Sequence, residues 1–429
     1  MKYQTDWSDV KVGFGIDKSL SFGLEMIPTL LTSDKTAKES NWDVSVGGSI
    51  KITPLIDNGV VYIGCCDKNF YAVDLETGKE IWRFPTAAPI SNSRAALHNG
   101  VLFFGSHDSC LYAVSTGGKL IWKFRSQGKI DASPVLKDGV VYVSGNDKNL
   151  YAVSESDGSL LWKYPLDSLS WNLALSGNIL LVPCSSGNLY AISTDRRLLW
   201  KFRGQGYMFP IPAVKDGVVY QSCNDDNLYA INLHTGHLIW KFRGGDSFDT
   251  MPVFHKDLLI VGNRDSNLYA LESKTGKVVW KFRTESILNW RSVVKDGVVY
   301  FGSWDNRLYA ADADSGRLLW KFKMNGPIDA GPEISGNRVV FGSFDCNLYC
   351  LDLQGNLIWK FPTSMGTPSR IDFIPLQEQQ ITVETIWKAP EEEKKGKESE
   401  KALSDYAVGE NLYATGMSKD YINRKKGYI

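Results

Sequence analysis

The chain has 429 residues, with 48 Lys and Arg against 48 Asp and Glu, so its formal net charge is zero. A balanced charge argues against the basic surface that nucleic-acid binding needs, and we expect no nucleic-acid partner. No apolar run approaches the roughly 20 residues that cross a bilayer, and the first residues lack the charged-then-apolar design of a signal peptide. We therefore expect a cytoplasmic protein without membrane contacts, whose seven Cys are mostly small buried residues.

After an N-terminal extension, residues 1–40, the sequence repeats itself about every 40 residues up to residue 362. Each repeat contains a Trp followed by a basic residue and an aromatic residue. The Trp residues are Trp82, Trp122, Trp162, Trp200, Trp240, Trp280, Trp320 and Trp359. Four short strand-like runs per repeat predict an all-β fold, an eight-bladed β-propeller of four-stranded antiparallel blades over residues 41–362. A helical solenoid of similar period is disfavoured, because the turns are short and the apolar runs hold only four or five residues.

One repeat shows how the strands follow one another. Asp138-Gly139 predicts a hairpin turn, because Asp and Gly accept positive φ at low cost. The run that follows it is β-branched and aromatic, as strands prefer. The predicted strands, labelled A to D from the centre of the ring outwards, are residues 135–136, 140–143, 150–153 and 160–164.

A spaced pattern of Ala, Asp, Gly and Trp occurs in residues 72–82 and again in residues 310–320. The pattern resembles the tryptophan-docking motif of the pyrroloquinoline-quinone-type (PQQ-like) repeat propellers of the quinoprotein alcohol dehydrogenase-like superfamily. The resemblance implies a propeller in which each indole packs as a rigid plate between neighbouring blades. The superfamily includes quinoprotein dehydrogenases and a non-catalytic lipoprotein of the bacterial outer-membrane assembly machinery, so the resemblance is specific for the fold and not for the chemistry.

The closure of the ring involves a further Trp. Trp42 stands 40 residues before Trp82 and is similar to an outer strand ahead of the first repeat. This strand either latches onto blade eight, whose own outer strand is predicted at residues 357–361, or forms an additional edge. We favour latching, because a closed ring removes the exposed sheet edges that invite aggregation.

Three segments follow the repeats. Residues 363–389 contain one or two strand-like runs, residues 390–401 are a charge-rich linker, and residues 402–429 form a C-terminal tail. Two interpretations of the tail stay open. It is either disordered, or it packs on the ring or on a partner and regulates access to the mouth of the propeller.

Propellers of this kind place the D-to-A and B-to-C connections on one face, around the mouth of the central channel. Residues found in nearly every blade belong to the scaffold, so we expect specificity where the blades differ. The candidate ligand-binding residues are Lys51, Arg94, Asp131, Trp171, Phe209, Asp249, Asn289, Arg291, Trp304 and Asp329. With Tyr207 and Phe248 beside them, they predict a polar, charged arc opposite an aromatic arc, which is a usual form of a ligand pocket. The alternative is that half of them point into blade cores, because side chains alternate in a strand.

An Asp recurs in the B-to-C connections of all blades except the fourth, which has Ser186 there. The repeated residues are Asp67, Asp108, Asp147, Asp225, Asp265, Asp305 and Asp345. Repetition favours a structural role over an acid cluster: each Asp is expected to cap its own turn through bonds to the backbone.

Cofactor and metal sites are not predicted. Cys65-Cys66 is similar to the adjacent-cysteine disulfide that stacks on the quinone in the dehydrogenases, but we favour two small residues that fill a loop. Asp131, Asp249 and Asp329 lie on three scattered blades and form no recognisable Ca²⁺ motif. PQQ and Ca²⁺ stay the disfavoured alternative.

Regular blades without a catalytic motif favour a non-catalytic scaffold over an enzyme. We predict that the face formed by the D-to-A and B-to-C loops recognises a protein or peptide partner, with a small ligand as an alternative. The competing hypothesis is an enzyme that acts on a substrate in the central mouth.

Overall fold

The structure, a computed structural model, describes residues 48–363, and their regular secondary structure is β-strand throughout. Eight antiparallel sheets each take four strands in chain order, so the predicted eight-bladed propeller is confirmed. The strands of blades one to four are β1 (Leu55–Asp57), β2 (Val60–Gly64), β3 (Asn69–Asp74), β4 (Glu80–Pro85), β5 (Ala96–His98), β6 (Val101–Gly105), β7 (Cys110–Ser115), β8 (Leu120–Arg125), β9 (Val135–Lys137), β10 (Val140–Gly145), β11 (Asn149–Ser154), β12 (Leu160–Pro165), β13 (Ala174–Ser176), β14 (Ile179–Pro183), β15 (Asn188–Ser193) and β16 (Leu198–Arg203).

The strands of blades five to eight are β17 (Ala213–Lys215), β18 (Val218–Ser222), β19 (Asn227–Asn232), β20 (Leu238–Arg243), β21 (Val253–His255), β22 (Leu258–Gly262), β23 (Asn267–Glu272), β24 (Val278–Arg283), β25 (Val293–Lys295), β26 (Val298–Ser303), β27 (Arg307–Asp312), β28 (Leu318–Lys323), β29 (Glu333–Ser335), β30 (Arg338–Gly342), β31 (Asn347–Leu351) and β32 (Leu357–Pro362). The first strands of neighbouring blades touch one another, as β1 and β29 do, which places them around the central channel. Several predicted segments lie outside the described residues. They are the N-terminal extension 1–40, the Trp42 strand, residues 363–389 except Thr363, the linker 390–401 and the tail 402–429.

The hairpin turns follow the predicted chemistry. Asp138 and Gly139 both have positive φ, 49° and 76°, and join β9 to β10. Asn58 and Gly59 do the same between β1 and β2, with φ of 45° and 76°. Two consecutive residues with positive φ give the type I′ turn, whose twist matches that of the flanking strands.

The hydrophobic core lies between neighbouring blades, and the indole of each outer-strand Trp forms a large part of it. Trp82 of β4 donates its indole N–H to the carbonyl of Thr116 in the next blade, at 3.0 Å. A Cβ atom added to Gly118 would lie 2.8 Å from the Trp82 indole, so Gly at this place lets the indole pack against backbone. Burial of a large aromatic side chain with its N–H paired stabilises the contact between blades.

The last blade closes the ring onto the first. Trp359 of β32 donates to the carbonyl of Leu75 in blade one at 2.8 Å, and Gly78 faces its indole. The N–H of Ile50 also bonds the carbonyl of Ser343, at 3.2 Å. Blade eight therefore has its four strands from residues 333–362 and packs on blade one without a described N-terminal strand.

One junction between blades differs from the other seven. Arg196, with φ of 73°, stands in blade four where the matching turns of the other blades have Gly. The other seven outer-strand Trp residues pack on those Gly residues and donate a hydrogen bond to the same neighbouring blade. Trp162, the outer-strand Trp of blade three, makes no hydrogen bond to any residue of 48–363. The loss of Gly, visible in the sequence, thus coincides with the loss of one indole hydrogen bond.

Candidate ligand-binding site at the mouth of the channel

The same backbone hydrogen bond fixes how the chain enters every inner strand. In each blade the residue just before the turn Asp, or before Ser186 in blade four, donates its N–H to a carbonyl of the connection that enters the blade, at 2.8–3.1 Å. In blade three, Asn146 donates to Lys129 in this way. The residue two positions after the one that accepts this hydrogen bond therefore occupies an equivalent place in every blade. These eight residues, the mouth ring, are Lys51, Ser91, Asp131, Trp171, Phe209, Asp249, Asn289 and Asp329.

Asp131 joins blades two and three at the mouth. Asn146 donates its amide to Asp131 Oδ2 at 2.9 Å, and His107 Nε2 contacts the other carboxylate oxygen. His107 Nε2 also lies 2.7 Å from Ser91 Oγ. Asp131 is buried, and its polar partners all come from the sequence positions that vary between blades.

Asp249 and Arg264 form a second pair, in blade six. Arg264 Nη1 lies 3.1 Å from Asp249 Oδ2, and the side chains are only 14% and 13% exposed. Burial raises the pKa of Asp249, and the attraction of Arg264 offsets that effect only in part. The pair places one carboxylate and one guanidinium side by side at the mouth.

Asp329 is the third carboxylate of the mouth ring. Asn289 donates to Asp329 Oδ1 at 2.7 Å and Trp304 Nε1 donates to the same atom at 3.2 Å. Burial raises the pKa of Asp329 to about 6; Lys51 and the two hydrogen bonds lower it by less. Lys51 itself lies over the ring of Phe344, with its Nζ 5.2 Å from the centroid.

Blades four and five supply the aromatic arc. The rings of Trp171 and Phe209 are stacked, with centroids 4.1 Å apart and planes 12° from parallel. Tyr207 lies 5.5 Å from Phe209 and is 54% exposed. Phe248, which sequence reasoning set beside this arc, is instead fully buried between blades with Tyr269, because it occupies the position just before the mouth ring. The aromatic arc is therefore narrower than predicted.

Arg94 and Arg291 do not belong to the mouth ring. Their guanidinium groups lie 2.9 Å and 4.0 Å from the Glu333 carboxylate. Both residues line a cavity of 340 Å³, here called the upper cavity, whose lining residues follow the mouth ring along the chain. Trp290 lines the same cavity and has φ of 73°, a backbone conformation that is rare for a bulky residue and that occurs at ligand-binding positions.

Sequence reasoning missed Glu333. It is the first residue of β29, and the first residue of every other inner strand is Ala, Val or Leu. The comparison between blades that selected the mouth ring would have found Glu333 had it been carried a few residues further along the strand.

Residues 66–168, 151–286 and 264–375 match the family model described as outer membrane protein assembly factor BamB. The matched residues extend over more than half of the 429 in the chain. The chain belongs to this family of PQQ-like repeat propellers. Its blades are thus BamB-like in sequence as well as in architecture.

Curated relatives are similar to the propeller over about two blades. Quinoprotein alcohol dehydrogenase PedH of Pseudomonas putida is 32% identical over 94 residues, 19% of this chain and 16% of its own length. BamB of Nitrosomonas eutropha is 28% identical over 95 residues, 22% of this chain and 23% of its own. BamB of Burkholderia pseudomallei is 25% identical over 114 residues, 26% of this chain and 30% of its own. The chain therefore spans less than a third of each relative.

Two solved structures share the fold. The computationally designed Ika8 protein has a TM-score of 0.65 at 16% identity, covering 72% of this chain and 98% of its own. BamB of Moraxella catarrhalis has a TM-score of 0.56 at 19% identity, covering 62% and 84%. In the part of the chain that the structure describes, no helix is long and apolar enough to cross a membrane.

Five of the seven repeated Asp residues of this PQQ-like propeller cap their own turn through a backbone N–H, as predicted, and these are Asp67, Asp108, Asp147, Asp225 and Asp265. Asp225 Oδ1 accepts the N–H of Asn227 at 3.0 Å, and its other oxygen accepts the hydroxyl of Tyr229 at 2.5 Å. That second oxygen also accepts the N–H of Gln205 from the connection before the blade, at 2.8 Å. Asp108, Asp147 and Asp265 likewise hold a turn, a strand and a connection together. Asp345 accepts the side-chain amide of Asn347 instead, and Asp305 Oδ1 accepts no hydrogen bond from residues 48–363.

Blade four replaces its missing Asp with one from the preceding connection. Asp167 accepts bonds from Ser186 Oγ at 2.8 Å, Asn188 Nδ2 at 2.5 Å and Lys201 Nζ at 2.9 Å. Burial alone would raise its pKa, but these bonds and one with Tyr190 lower it to about 2. Sequence reasoning missed this compensation, since Asp167 stands 19 residues before Ser186.

The residues of the BamB-like propeller do not fit the PQQ and Ca²⁺ site of the quinoprotein dehydrogenases. Cys65 and Cys66 are buried free thiols that fill their loop, and burial raises the pKa of Cys66 to about 12. Asp131, Asp249 and Asp329 each bind a different set of neighbours. Within residues 48–363 no three His, Cys, Asp or Glu side chains form a group that holds a metal ion.

Proposed function

We propose that this protein is a non-catalytic binding propeller that takes a protein or peptide partner at the mouth ring. One contrast carries the proposal. The turn Asp, the third-strand Tyr and the outer-strand Trp recur from blade to blade, whereas the mouth ring holds six residue types in eight positions. A recognition surface on a rigid fold needs both features: repeated residues that hold the blades in place, and varying residues that determine which ligand binds.

The chemistry of the mouth supports a peptide-like ligand. The Trp171–Phe209 stack and the half-exposed Tyr207 offer an aromatic wall on blades four and five. The pair around Asp131 offers polar groups on the neighbouring blade three, and the pair around Asp329 offers them on blade eight, on the other side of the ring. Aromatic anchors with convergent polar groups are typical of binding sites for peptides and small ligands. The match to a family of assembly factors favours a protein as the partner.

Photo-crosslinking in cells tests the proposal. A photoreactive phenylalanine analogue at Tyr207, 54% exposed, is expected to give a discrete adduct whose partner is identified by mass spectrometry. The matched control is the same analogue at Leu161 on an outer strand, 52% exposed, which is expected to give none. Replacing Trp171 by Ala should remove the Tyr207 adduct. Equal adducts at both positions would argue against a partner at the mouth.

The second candidate function is that of an enzyme. It is favoured by the pKa of Asp329, which burial raises to about 6. A carboxylate that titrates near neutral pH is suited to proton transfer. The similarity to PedH makes alcohol oxidation the reaction to test. Titration with PQQ and Ca²⁺, followed by a dye-linked alcohol oxidation assay, decides it. No spectral change and no oxidation would remove the dehydrogenase hypothesis.

The cytoplasmic location and the lack of membrane contact stay predictions. Immunoblotting of cytosolic, soluble extracytoplasmic and membrane fractions tests both. A signal confined to the membrane fraction would contradict both expectations, and it would direct the crosslinking experiment towards membrane proteins.

A further inference from the structure

A second cavity continues the upper cavity along the inner strands. It has a volume of 430 Å³, is lined by residues 211–214, 251–254, 291 and 293–294, and is here called the lower cavity. Ile211, Met251 and Arg291 line both cavities, so Arg291 stands at their junction. Neither cavity is lined by a residue of the mouth ring.

Arg291 has hydrogen-bonding capacity that the protein does not use. Its guanidinium lies 4.0 Å from Glu333 and donates no hydrogen bond to any residue of 48–363. Glu333 is engaged by Arg94 at 2.9 Å, and Arg94 also reaches the carbonyl of Pro54 at 3.4 Å. Two guanidinium groups against one carboxylate leave a net positive charge beside the two cavities that Arg291 lines.

The walls of the lower cavity are otherwise apolar. Its other ten residues are Ala, Val, Ile, Pro, Met or Phe, and they come from the beginnings of β17, β21 and β25. The upper cavity is different, because Thr53, Asn92, Ser133 and Asn172 line it together with Arg94. The ten apolar side chains of the lower cavity give an aliphatic segment of a ligand a surface to contact.

The Arg291 guanidinium shares Glu333 with Arg94 and stands beside the apolar side chains of the lower cavity. This arrangement matches a carboxylate joined to an aliphatic chain. A carboxylate accepts two parallel N–H bonds from a guanidinium, and the chain gains from leaving water. We propose that Arg291 and the lower cavity bind a medium-chain aliphatic monocarboxylate, with the carboxylate on Arg291 and the chain against β17, β21 and β25. The site is independent of the proposed partner site at the mouth ring.

Calorimetric titration of the whole protein with hexanoate, octanoate and decanoate tests the site. Each pair of added methylene groups is expected to raise the affinity roughly tenfold until the cavity is filled. Octan-1-ol, which has the chain without the charge, is expected to bind at least about tenfold more weakly than octanoate. No binding of octanoate, or equal binding of octanoate and octan-1-ol, would overturn the proposal.

Two pairs of variants locate the headgroup and the chain. Arg291→Met is expected to weaken octanoate binding at least about tenfold, while Arg283→Met, at an exposed arginine on β24, leaves it unchanged. Ala213→Leu, which fills part of the lower cavity, should weaken decanoate more than hexanoate, and Ala174→Leu, in the upper cavity, should not. Circular dichroism and the melting temperature confirm that each variant is folded. Equal effects within either pair would overturn the assignment.

Discussion

Asp329 makes the stability of the propeller depend on pH in a direction opposite to most carboxylates. Its pKa is 3.8 in an unfolded chain and about 6 in the folded protein, so the folded state favours the neutral form. Below about pH 3 both states are protonated and Asp329 costs almost nothing. As the pH rises to 6 the unfolded state ionises first and stability is lost. Above pH 6 the loss is complete.

Asp329→Asn replaces the carboxylate by a neutral group of the same shape, and its Oδ1 still accepts from Asn289 and Trp304. The rise in pKa from 3.8 to about 6 corresponds to roughly 3 kcal/mol gained by the variant at pH 7.5 and to only about 0.5 kcal/mol at pH 4. The opposing attraction of Lys51 is already contained in that shift. With an unfolding entropy of roughly 2 cal/mol/K per residue over residues 48–363, the gain raises Tm by about 4–5 °C.

Differential scanning fluorimetry from pH 4 to pH 8 measures the effect. The control is Asp167→Asn, because hydrogen bonds lower the pKa of Asp167 to about 2 and its replacement should reduce Tm at pH 7.5. A parallel shift of the Asp329→Asn variant at every pH would show that the gain does not come from ionisation. A lower Tm of that variant at pH 7.5 would refute the reasoning.

Three further predictions concern the scaffold. Trp320→Ala should lower the free energy of unfolding by about 3–5 kcal/mol. Trp162→Ala should lower it by about 1 kcal/mol less, because Trp162 has no indole hydrogen bond within residues 48–363. Urea unfolding of the two variants measures both free energies. Asp167→Asn should cost about 1 kcal/mol at pH 7, reduced by solvent screening, and progressively less as the pH falls from about 4 to 2, measured in the same way. Gly316→Ala places a Cβ 2.6 Å from an indole and should lower Tm more than Gly297→Ala, where φ is also positive but the space is open; equal losses would contradict the packing argument.

The 40-residue period made the fold predictable. Strand-like runs, hairpin turns and the Trp of each fourth strand are local signals. Because the pattern occurs eight times, a repeat in which one signal is weak can be interpreted from the others. The turn-capping role of Asp225 and its equivalents was predictable for the same reason, because a residue present in seven of eight blades belongs to the scaffold.

The mouth was predictable only as a set of positions. Seven of the ten candidate residues belong to the mouth ring, whose eighth member is Ser91, and Trp304 binds one of them. Arg94 and Arg291 instead line the upper cavity and contact Glu333.

The sequence by itself determined the number of blades, the order of their strands and which positions vary. The tertiary structure decided which of the varying side chains meet. Arg94 and Glu333 are 239 residues apart, and Asn289 and Asp329 are 40 apart on different blades. Such contacts arise because closure brings distant blades to one axis, and no local pattern records which side chain lies across a channel.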